Sequence, residues 1–285
     1  MRIAVLGLGE AGRRYAADLL AAGHDVAGYD PAPTPTPSGA RRADSVADAV
    51  EGAELVLGLT GARFAASAAE DAAAALSAHA CFADFNSASP SEKQAVARIL
   101  AGTGTGTGIG TGTSAVTGTG TTGSAAVADV AVLAPVPCRG AATPLLVSGP
   151  GALRVAEVFR PIGAAVEVLA EPVGAAAGRK LLRSVFMKGL AAAVLEAVSA
   201  AAAAGCEDWV REQIAGELGE GGPALLDRLV TGTRAHAGRR VHEVAASRDY
   251  LAELGVHTWV CDATLAWLGE LAPPADPPGN SDAGR

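Results

Sequence analysis

Short apolar runs alternate with helical patterns through the first half of the chain. Residues 3–6 are apolar and end at a glycine, and similar runs recur at 24–29, 55–59, 81–85, 130–134, 145–148 and 166–169. Runs of this length predict buried strands. Helical periodicity fills several of the intervals, at residues 11–22, 62–78 and 91–100. This alternation of strand and helix predicts a doubly wound parallel sheet.

The pattern changes at about residue 172, where the strand-like runs end. Helix-period segments follow at residues 174–204, 208–218, 224–235, 239–254 and 258–271. The predicted fold class is therefore α/β, with a doubly wound domain at residues 1–171 and an all-α domain at residues 172–272. Residues 102–124 are almost entirely glycine and threonine, and residues 273–285 are proline-rich and polar. We expect a flexible insertion at the first and a disordered tail at the second.

Composition and charge exclude several classes of function. The net charge of −8 argues against a nucleic-acid-binding protein, which needs a basic face. The four cysteines are widely spaced and form no cluster with histidine at metal-ligand spacing, so no metal is expected. Residues 185–205 are apolar enough to suggest a membrane span, but they include Lys188 and Glu196 and contain more alanine than Leu, Ile and Val together. We interpret them as a buried helix and expect a soluble cytoplasmic protein.

A glycine-rich turn joins the first predicted strand to the first predicted helix. It reads Gly7-Leu8-Gly9-Glu10-Ala11-Gly12. Between a strand and a helix, Gly7 permits the tight turn, Gly9 lets a pyrophosphate approach the backbone, and Gly12 lets helix and strand pack closely. The start of the helix adds free N–H groups and the positive end of its dipole. We therefore predict a dinucleotide site formed by all six residues.

An acidic residue ends the second predicted strand. Asp30 lies eighteen positions after Gly12, where a carboxylate accepts hydrogen bonds from the adenosine ribose hydroxyls and repels a 2′-phosphate. NAD is therefore the expected cofactor. Arg41 and Arg42 lie close by in sequence and keep NADP open as an alternative.

Two further polar segments suggest binding chemistry. The segment at 84–90 ends a predicted strand and begins a helix. There, either Ser89 caps the helix, or Asn86 and Ser87 face the crevice at the strand ends, where ligands bind. On the longest predicted helix, the side chains of Lys180, Arg183, Ser184 and Lys188 share one face. That face either binds an anion or a partner, or lies in solvent.

On these motifs the chain resembles the β-hydroxyacid dehydrogenases. It is most similar to the branch whose C-terminal domain is phosphogluconate-dehydrogenase-like but has no assigned function. The resemblance spans nearly all of the chain outside the insertion and the tail, and rests on residues 7–12, 84–90, 129–137, 144–151 and 174–189. It implies a Rossmann domain and an NAD(P)-dependent oxidoreductase that acts on a small hydroxy compound, expected to be a 3-hydroxyacid. It also implies a homodimer formed through the helical half.

The resemblance assigns roles to individual residues. Lys180 takes the place of the catalytic lysine, with Arg183 and Ser184 beside it. Thr60 matches the loop that covers the cofactor, and Asn86 matches the position beside the nicotinamide, with Ser87 next to it.

The chain also departs from the family pattern. Leu133-Ala134-Pro135 replaces the Ser-Gly-Gly that binds the substrate carboxylate in the family, and Arg183 and Lys188 are the candidates for that recognition here. Ser184 replaces an asparagine, and Met187 replaces the glutamate of true 6-phosphogluconate dehydrogenases. Two alternatives therefore stay open. One is an imine reductase, which shares the architecture but usually lacks the lysine, and the other is a non-catalytic dinucleotide-binding protein.

Overall fold

The computed structural model describes residues 1–102 and 125–271, so the predictions for most of the insertion and for the tail lie outside the described residues. The chain divides into two compact units, Met1–Lys180 and a second unit that begins at Leu181. The division falls inside a long helix, a few residues after the point where the sequence pattern changes.

The first unit is built on an eight-stranded sheet. Its strands are β1 (Arg2–Leu6), β2 (Asp25–Tyr29), β3 (Arg41–Arg42), β4 (Leu55–Gly58), β5 (Cys81–Asp84), β6 (Ala126–Val132), β7 (Leu145–Ser148) and β8 (Val166–Val168). The strand order is β3-β2-β1-β4-β5-β6-β7-β8. In such a sheet the order reverses between β1 and β4, and ligands bind in the crevice outside the carboxyl ends of the strands at that point.

The prediction of a parallel sheet is correct for β1 to β6 and wrong for the last two strands. β7 pairs with β6 in the antiparallel direction, and β8 is parallel to β7. The connection between β6 and β7 holds only the four-residue helix α5 (Val136–Arg139) and a 3₁₀ turn. A parallel neighbour usually requires a helix that carries the chain back along the sheet, and neither of these short segments can do so, so the chain returns in the opposite direction.

Helices cover both faces of the sheet in the first unit. They are α1 (Glu10–Ala21), α2 (Val46–Val50), α3 (Ala62–Ala73), α4 (Pro90–Gly102), α5, α6 (Ala152–Phe159) and the start of α7 (Ala175–Ala203). Successive residues of β1 point to opposite faces, and all of Ile3–Leu6 are buried. Ile3 and Val5 belong to one hydrophobic cluster, and Ala4 and Leu6 belong to the other. This explains why the strand appears in the sequence as a continuous apolar run.

The described part of the second unit is all-α, as predicted. It contains the rest of α7, followed by α8 (Glu207–Glu217), α9 (Gly222–Ala235), α10 (Ala237–Glu253) and α11 (Trp259–Leu271). Four residues at helical spacing on α7 contribute one face to its core: Ala191, Val194, Leu195 and Val198.

Within the described residues, α7 is the one helix long and apolar enough to cross a membrane by length and composition. Core helices of soluble proteins pass the same test, so this is weak evidence for a membrane span. Only 28% of its most apolar window is buried within the chain, which is less than the buried helix expected from sequence.

Candidate functional site

The glycine turn between β1 and α1 has the geometry that its sequence predicts. Gly7 has a positive φ of 95°, and a β-carbon there would lie 2.4 Å from the Leu59 carbonyl oxygen. A β-carbon on Gly12 would lie 1.8 Å from the carbonyl oxygen of Gly7. Both positions therefore exclude a side chain, because the backbone passes too close. At Gly9, by contrast, a β-carbon would meet no protein atom within 4 Å.

The start of α1 faces solvent beside that open space. Gly9 and Glu10 are exposed, and in the described chain no side chain caps the helix at Gly9. The N–H groups of the first turn, Glu10 to Gly12, are thus placed to bind an anion. Leu8 contributes differently, because its side chain is fully buried and packs against Gly28. This arrangement fits a dinucleotide, since the pyrophosphate needs both the space at Gly9 and the free N–H groups.

Asp30 connects the glycine turn to the end of β2. Its Oδ2 accepts a hydrogen bond from the N–H of Leu8 at 2.7 Å, and its Oδ1 accepts one from the N–H of Ala32 at 2.9 Å. A carboxylate has about four acceptor positions. Asp30 therefore keeps capacity for ribose hydroxyls while it holds the turn in place.

The two arginines that kept NADP open are both engaged with nearby groups. Arg41 donates to the side chain and the backbone carbonyl of Asp48. Arg42 donates to backbone carbonyls in the loop after β2, those of Asp30, Ala32 and Thr34. In this arrangement both guanidinium groups support loops on the protein.

Asn86 joins the loops that follow β4 and β5. Its side chain is buried, and its Oδ1 accepts a hydrogen bond from the N–H of Gly61 at 2.7 Å. Its Nδ2 donates to Oδ1 of Asp84 at 2.8 Å. Thr60, next to Gly61, is partly exposed at the same edge. The structure thus brings Thr60 and Asn86 together at the carboxyl ends of neighbouring strands. Their part in cofactor binding stays a prediction.

The two interpretations of the segment after β5 apply to different residues. Ser89 caps α4, because its Oγ accepts a hydrogen bond from the N–H of Glu92, and the Glu92 carboxylate accepts one from the N–H of Ser89. This reciprocal pair is a capping box. Ser87 is exposed and takes no part in that cap.

Lys180 and Ser87 form a contact that sequence reasoning missed. The Nζ of Lys180 donates a hydrogen bond to the Oγ of Ser87 at 2.8 Å. The two residues are 93 positions apart, and no local pattern connects them. Only the topology, which places the end of β5 beside the start of α7, could have indicated this pair.

An aromatic cluster supports this edge of the sheet. The ring of Phe85 contacts Tyr15 with centroids 5.3 Å apart and Phe159 at 5.6 Å. Burial, with a contribution from the charge of Asp18, raises the pKa of Tyr15 well above its ordinary value. Burial also raises the pKa of the Cys81 thiol to about 12. Both groups stay protonated at neutral pH and contribute packing rather than proton transfer.

Three of the predicted residues lie in the second unit. Arg183 and Ser184 follow Lys180 on α7, and their part in the site stays a prediction. Lys188 forms an ion pair with Glu243, with Nζ and Oε2 2.9 Å apart. Desolvation lowers the pKa of the neighbouring Arg240 on α10.

Among the residues that the structure describes, no group of three or more His, Cys, Asp or Glu side chains could hold a metal ion.

Two family models match separate parts of the chain. Residues 2–130 match the NAD binding domain of 6-phosphogluconate dehydrogenase, and residues 201–271 match a domain of unknown function (DUF1932). The first match spans the glycine turn, Asp30, Thr60 and Asn86. No curated protein matches the chain at a significant level.

Solved structures resemble both halves of the chain. A conserved hypothetical protein from Sinorhizobium meliloti is 28% identical, with a TM-score of 0.71, over 94% of this chain and 87% of its own. The Mycobacterium tuberculosis 3-hydroxyisobutyrate dehydrogenase, solved with L-serine, is 20% identical with a TM-score of 0.75, over 94% and 92%. An imine reductase variant from Myxococcus stipitatus in complex with NAD+ is 20% identical with a TM-score of 0.63, over 94% and 92%. At this identity the last two show the fold alone.

Proposed function

The chain belongs to the β-hydroxyacid dehydrogenase family, and on that premise we propose that it is an NAD-dependent dehydrogenase of small 3-hydroxyacids. The observation that carries the proposal is the hydrogen bond between Lys180 and Ser87. It places an ammonium group at the carboxyl end of β5, beside the loop of Asn86. A lysine is the residue expected for proton transfer there, and imine reductases usually lack it.

The first unit supplies the groups that would bind the cofactor. The N–H groups at the start of α1 would bind the pyrophosphate beside Gly9, and Asp30 would accept hydrogen bonds from the adenosine ribose. Asn86 and Thr60 line the edge where the nicotinamide belongs. When bound, NAD supplies the hydride acceptor at its nicotinamide ring.

Lys180 would handle the proton of the substrate hydroxyl. In its neutral form the amine accepts that proton as the carbinol carbon loses its hydride, and in the reverse reaction the ammonium returns it. Ser87 accepts a hydrogen bond from Nζ and so fixes the direction in which the amine points. Arg183 and Ser184 are proposed to assist at the substrate.

A panel of substrates tests this function. The purified protein is assayed with NADH or NADPH against β-keto acids, semialdehydes and cyclic imines, and with NAD or NADP against 3-hydroxyacids. We expect turnover of a 3-hydroxyacid and its keto acid or semialdehyde. Turnover of cyclic imines alone would favour an imine reductase, the activity named for one structural relative. Cofactor binding without any turnover would favour a binding protein.

We expect NAD to be preferred over NADP by at least about tenfold in kcat/KM. The reason is that the 2′-phosphate of NADP would face the Asp30 carboxylate, and like charges brought together repel. The positive charge of Arg42 could offset this repulsion, but its guanidinium donates to backbone carbonyls of the loop after β2. The measurement is kcat/KM for both cofactors in the parent protein and in Arg42→Ala. A clear preference for NADP in the parent protein contradicts this assignment of Asp30, and its loss in Arg42→Ala would show that Arg42 binds the 2′-phosphate.

We also expect a homodimer formed through the second unit, with a mass of twice 28.1 kDa. The apolar surface of α7 is incompletely covered by the chain, and Phe186 on this helix is 66% exposed. Light scattering at micromolar concentration checks the mass. Phe186→Asp should shift the protein toward monomer, and Phe64→Asp, at an exposed phenylalanine of the first unit, should leave it unchanged. A monomeric parent protein would exclude the dimer.

A further inference from the structure

A buried lysine lies between two buried carboxylates in the first unit. Lys93, on α4, is 1% exposed to solvent, and the carboxylates of Asp84 and Asp129 are equally buried. The Nζ of Lys93 lies 3.2 Å from Oδ1 of Asp84 and 3.6 Å from Oδ1 of Asp129. It also donates a hydrogen bond to the backbone carbonyl of Asp84 at 2.6 Å. Sequence reasoning missed this cluster, because a lysine on an amphipathic helix is normally exposed.

A gain in stability does not by itself explain why Lys93 and the two carboxylates are buried together. Charges are costly to remove from water, and a buried ion pair often stabilises a protein no more than apolar residues of similar volume would. Here one ammonium faces two carboxylates. Within the described chain, Oδ2 of Asp84 and Oδ1 of Asp129 have no hydrogen-bond partner. A cluster with this cost suggests a role in holding one specific arrangement.

One end of the cluster holds the start of α7. The Oδ2 of Asp129 accepts hydrogen bonds from the N–H groups of Gly174 at 3.1 Å and Ala177 at 2.9 Å. The N–H of Ala176 donates to Oγ of Ser148, and this hydroxyl lies 3.3 Å from Oδ2 of Asp129. The first turn of the helix is thus fixed by side chains of β6 and β7. Lys180 follows Ala177 by less than one turn.

The other end of the cluster holds the loop after β5. The Oδ1 of Asp84 accepts hydrogen bonds from the backbone and side-chain N–H groups of Asn86. Asn86 in turn accepts from Gly61, and Ser87 is its neighbour in sequence. Lys93 therefore connects the two elements that meet where Lys180 donates to Ser87.

We propose that Lys93 and Asp129 are positioning residues for Lys180. They fix the start of α7 against the loop of Asn86 and Ser87, so that the amine stays at the reacting centre. The catalytic consequence rests on the proposed function of Lys180, whereas the structural consequence does not. A misplacement of about 1 Å can cost about a hundredfold in rate, so the effect on kcat should be large.

Three variants test the proposal. Lys93→Met removes the ammonium and keeps the volume of the stem. The double variant Lys93→Met with Asp129→Asn also removes one carboxylate and so restores the original net charge. It is the variant to measure if the single variant does not fold. Val96→Ala is the matched control, since Val96 is a buried neutral residue of the same helix α4. Each is measured for kcat, KM, NAD affinity, urea stability and hydrogen exchange at the amides of Ala176 and Ala177.

The expected result separates positioning from stability. Both Lys93 variants should lower kcat by about tenfold or more, with smaller changes in KM, and should speed amide exchange at Ala176 and Ala177. Val96→Ala should lose stability and keep both kcat and exchange near the parent values. Unchanged exchange in the folded double variant would overturn the proposal. So would parent-like kcat in that variant when Lys180→Ala is inactive. Faster exchange in a protein without dehydrogenase activity supports the positioning and refutes the proposed function.

Discussion

Replacing Lys180 by alanine is expected to lower kcat by at least about a hundredfold while the affinity for NAD hardly changes. Loss of a general acid/base typically costs about 10²–10⁴ in rate. The cofactor contacts proposed for the glycine turn and Asp30 do not involve Lys180, so binding should persist. Initial rates with the best substrate give kcat, and fluorescence titration gives the dissociation constant for NAD.

Lys188→Ala is the matched control on the same helix. The two lysines are eight residues apart, or about 12 Å along the helix axis, so both cannot reach one hydroxyl. Lys188 is also paired with Glu243. Its removal should leave kcat nearly unchanged and raise KM if it binds substrate. Near-normal kcat in Lys180→Ala would remove the mechanism and favour an imine reductase or a binding protein.

Much of the fold can be predicted from local sequence signals. The glycine turn was interpretable because it lies between an apolar run and an amphipathic segment, and the structure places β1 and α1 there. Helices of ten residues or more were predicted to within a few residues at most ends. The exception is α3, predicted to reach residue 78, which ends at Ala73. An alanine-rich segment carries little information about where a helix stops, since alanine fits both the helix and the turn after it.

The missed elements are short. β3 has two residues, α2 has five, α5 has four and α6 has eight, so each contains too few periods of hydrophobic alternation for its type to be recognised. β6 begins at Ala126, four residues before the predicted start at residue 130. The prediction began too late because the first residues of the strand, Ala-Val-Ala-Asp, give a weak hydrophobic signal.

The candidate site is harder to predict because its contacts are long-range. Ser87 and Lys180 meet, and Lys93 lies between Asp84 and Asp129, only because β5 and β6 are neighbours in the sheet. Local periodicity describes which face of a helix is apolar. It cannot show that a lysine on the buried face has a carboxylate opposite it.

Gly9→Ala and Gly12→Ala are expected to fail in different ways. At Gly9 the backbone suits any residue, with φ of −62°, and the new methyl group meets no protein atom within 4 Å. Stability should therefore fall by no more than about 1 kcal/mol, mainly from the poorer N-cap. The methyl group would occupy the space proposed for the pyrophosphate. NAD affinity should drop by at least about tenfold, which corresponds to about 1.4 kcal/mol.

At Gly12 the methyl group would lie 1.8 Å from the carbonyl oxygen of Gly7, so the helix or the strand must move. Overpacking of this kind typically costs about 1–3 kcal/mol, and urea unfolding should show the loss directly. Gly238→Ala, at an open position of α10, is the control: it should leave NAD affinity unchanged and should not lower stability, because alanine is favoured over glycine in a helix. Parent-like NAD affinity in a stable Gly9→Ala protein would show that the pyrophosphate does not lie over Gly9. The dinucleotide site would then have to be placed elsewhere, whatever the stability of Gly12→Ala.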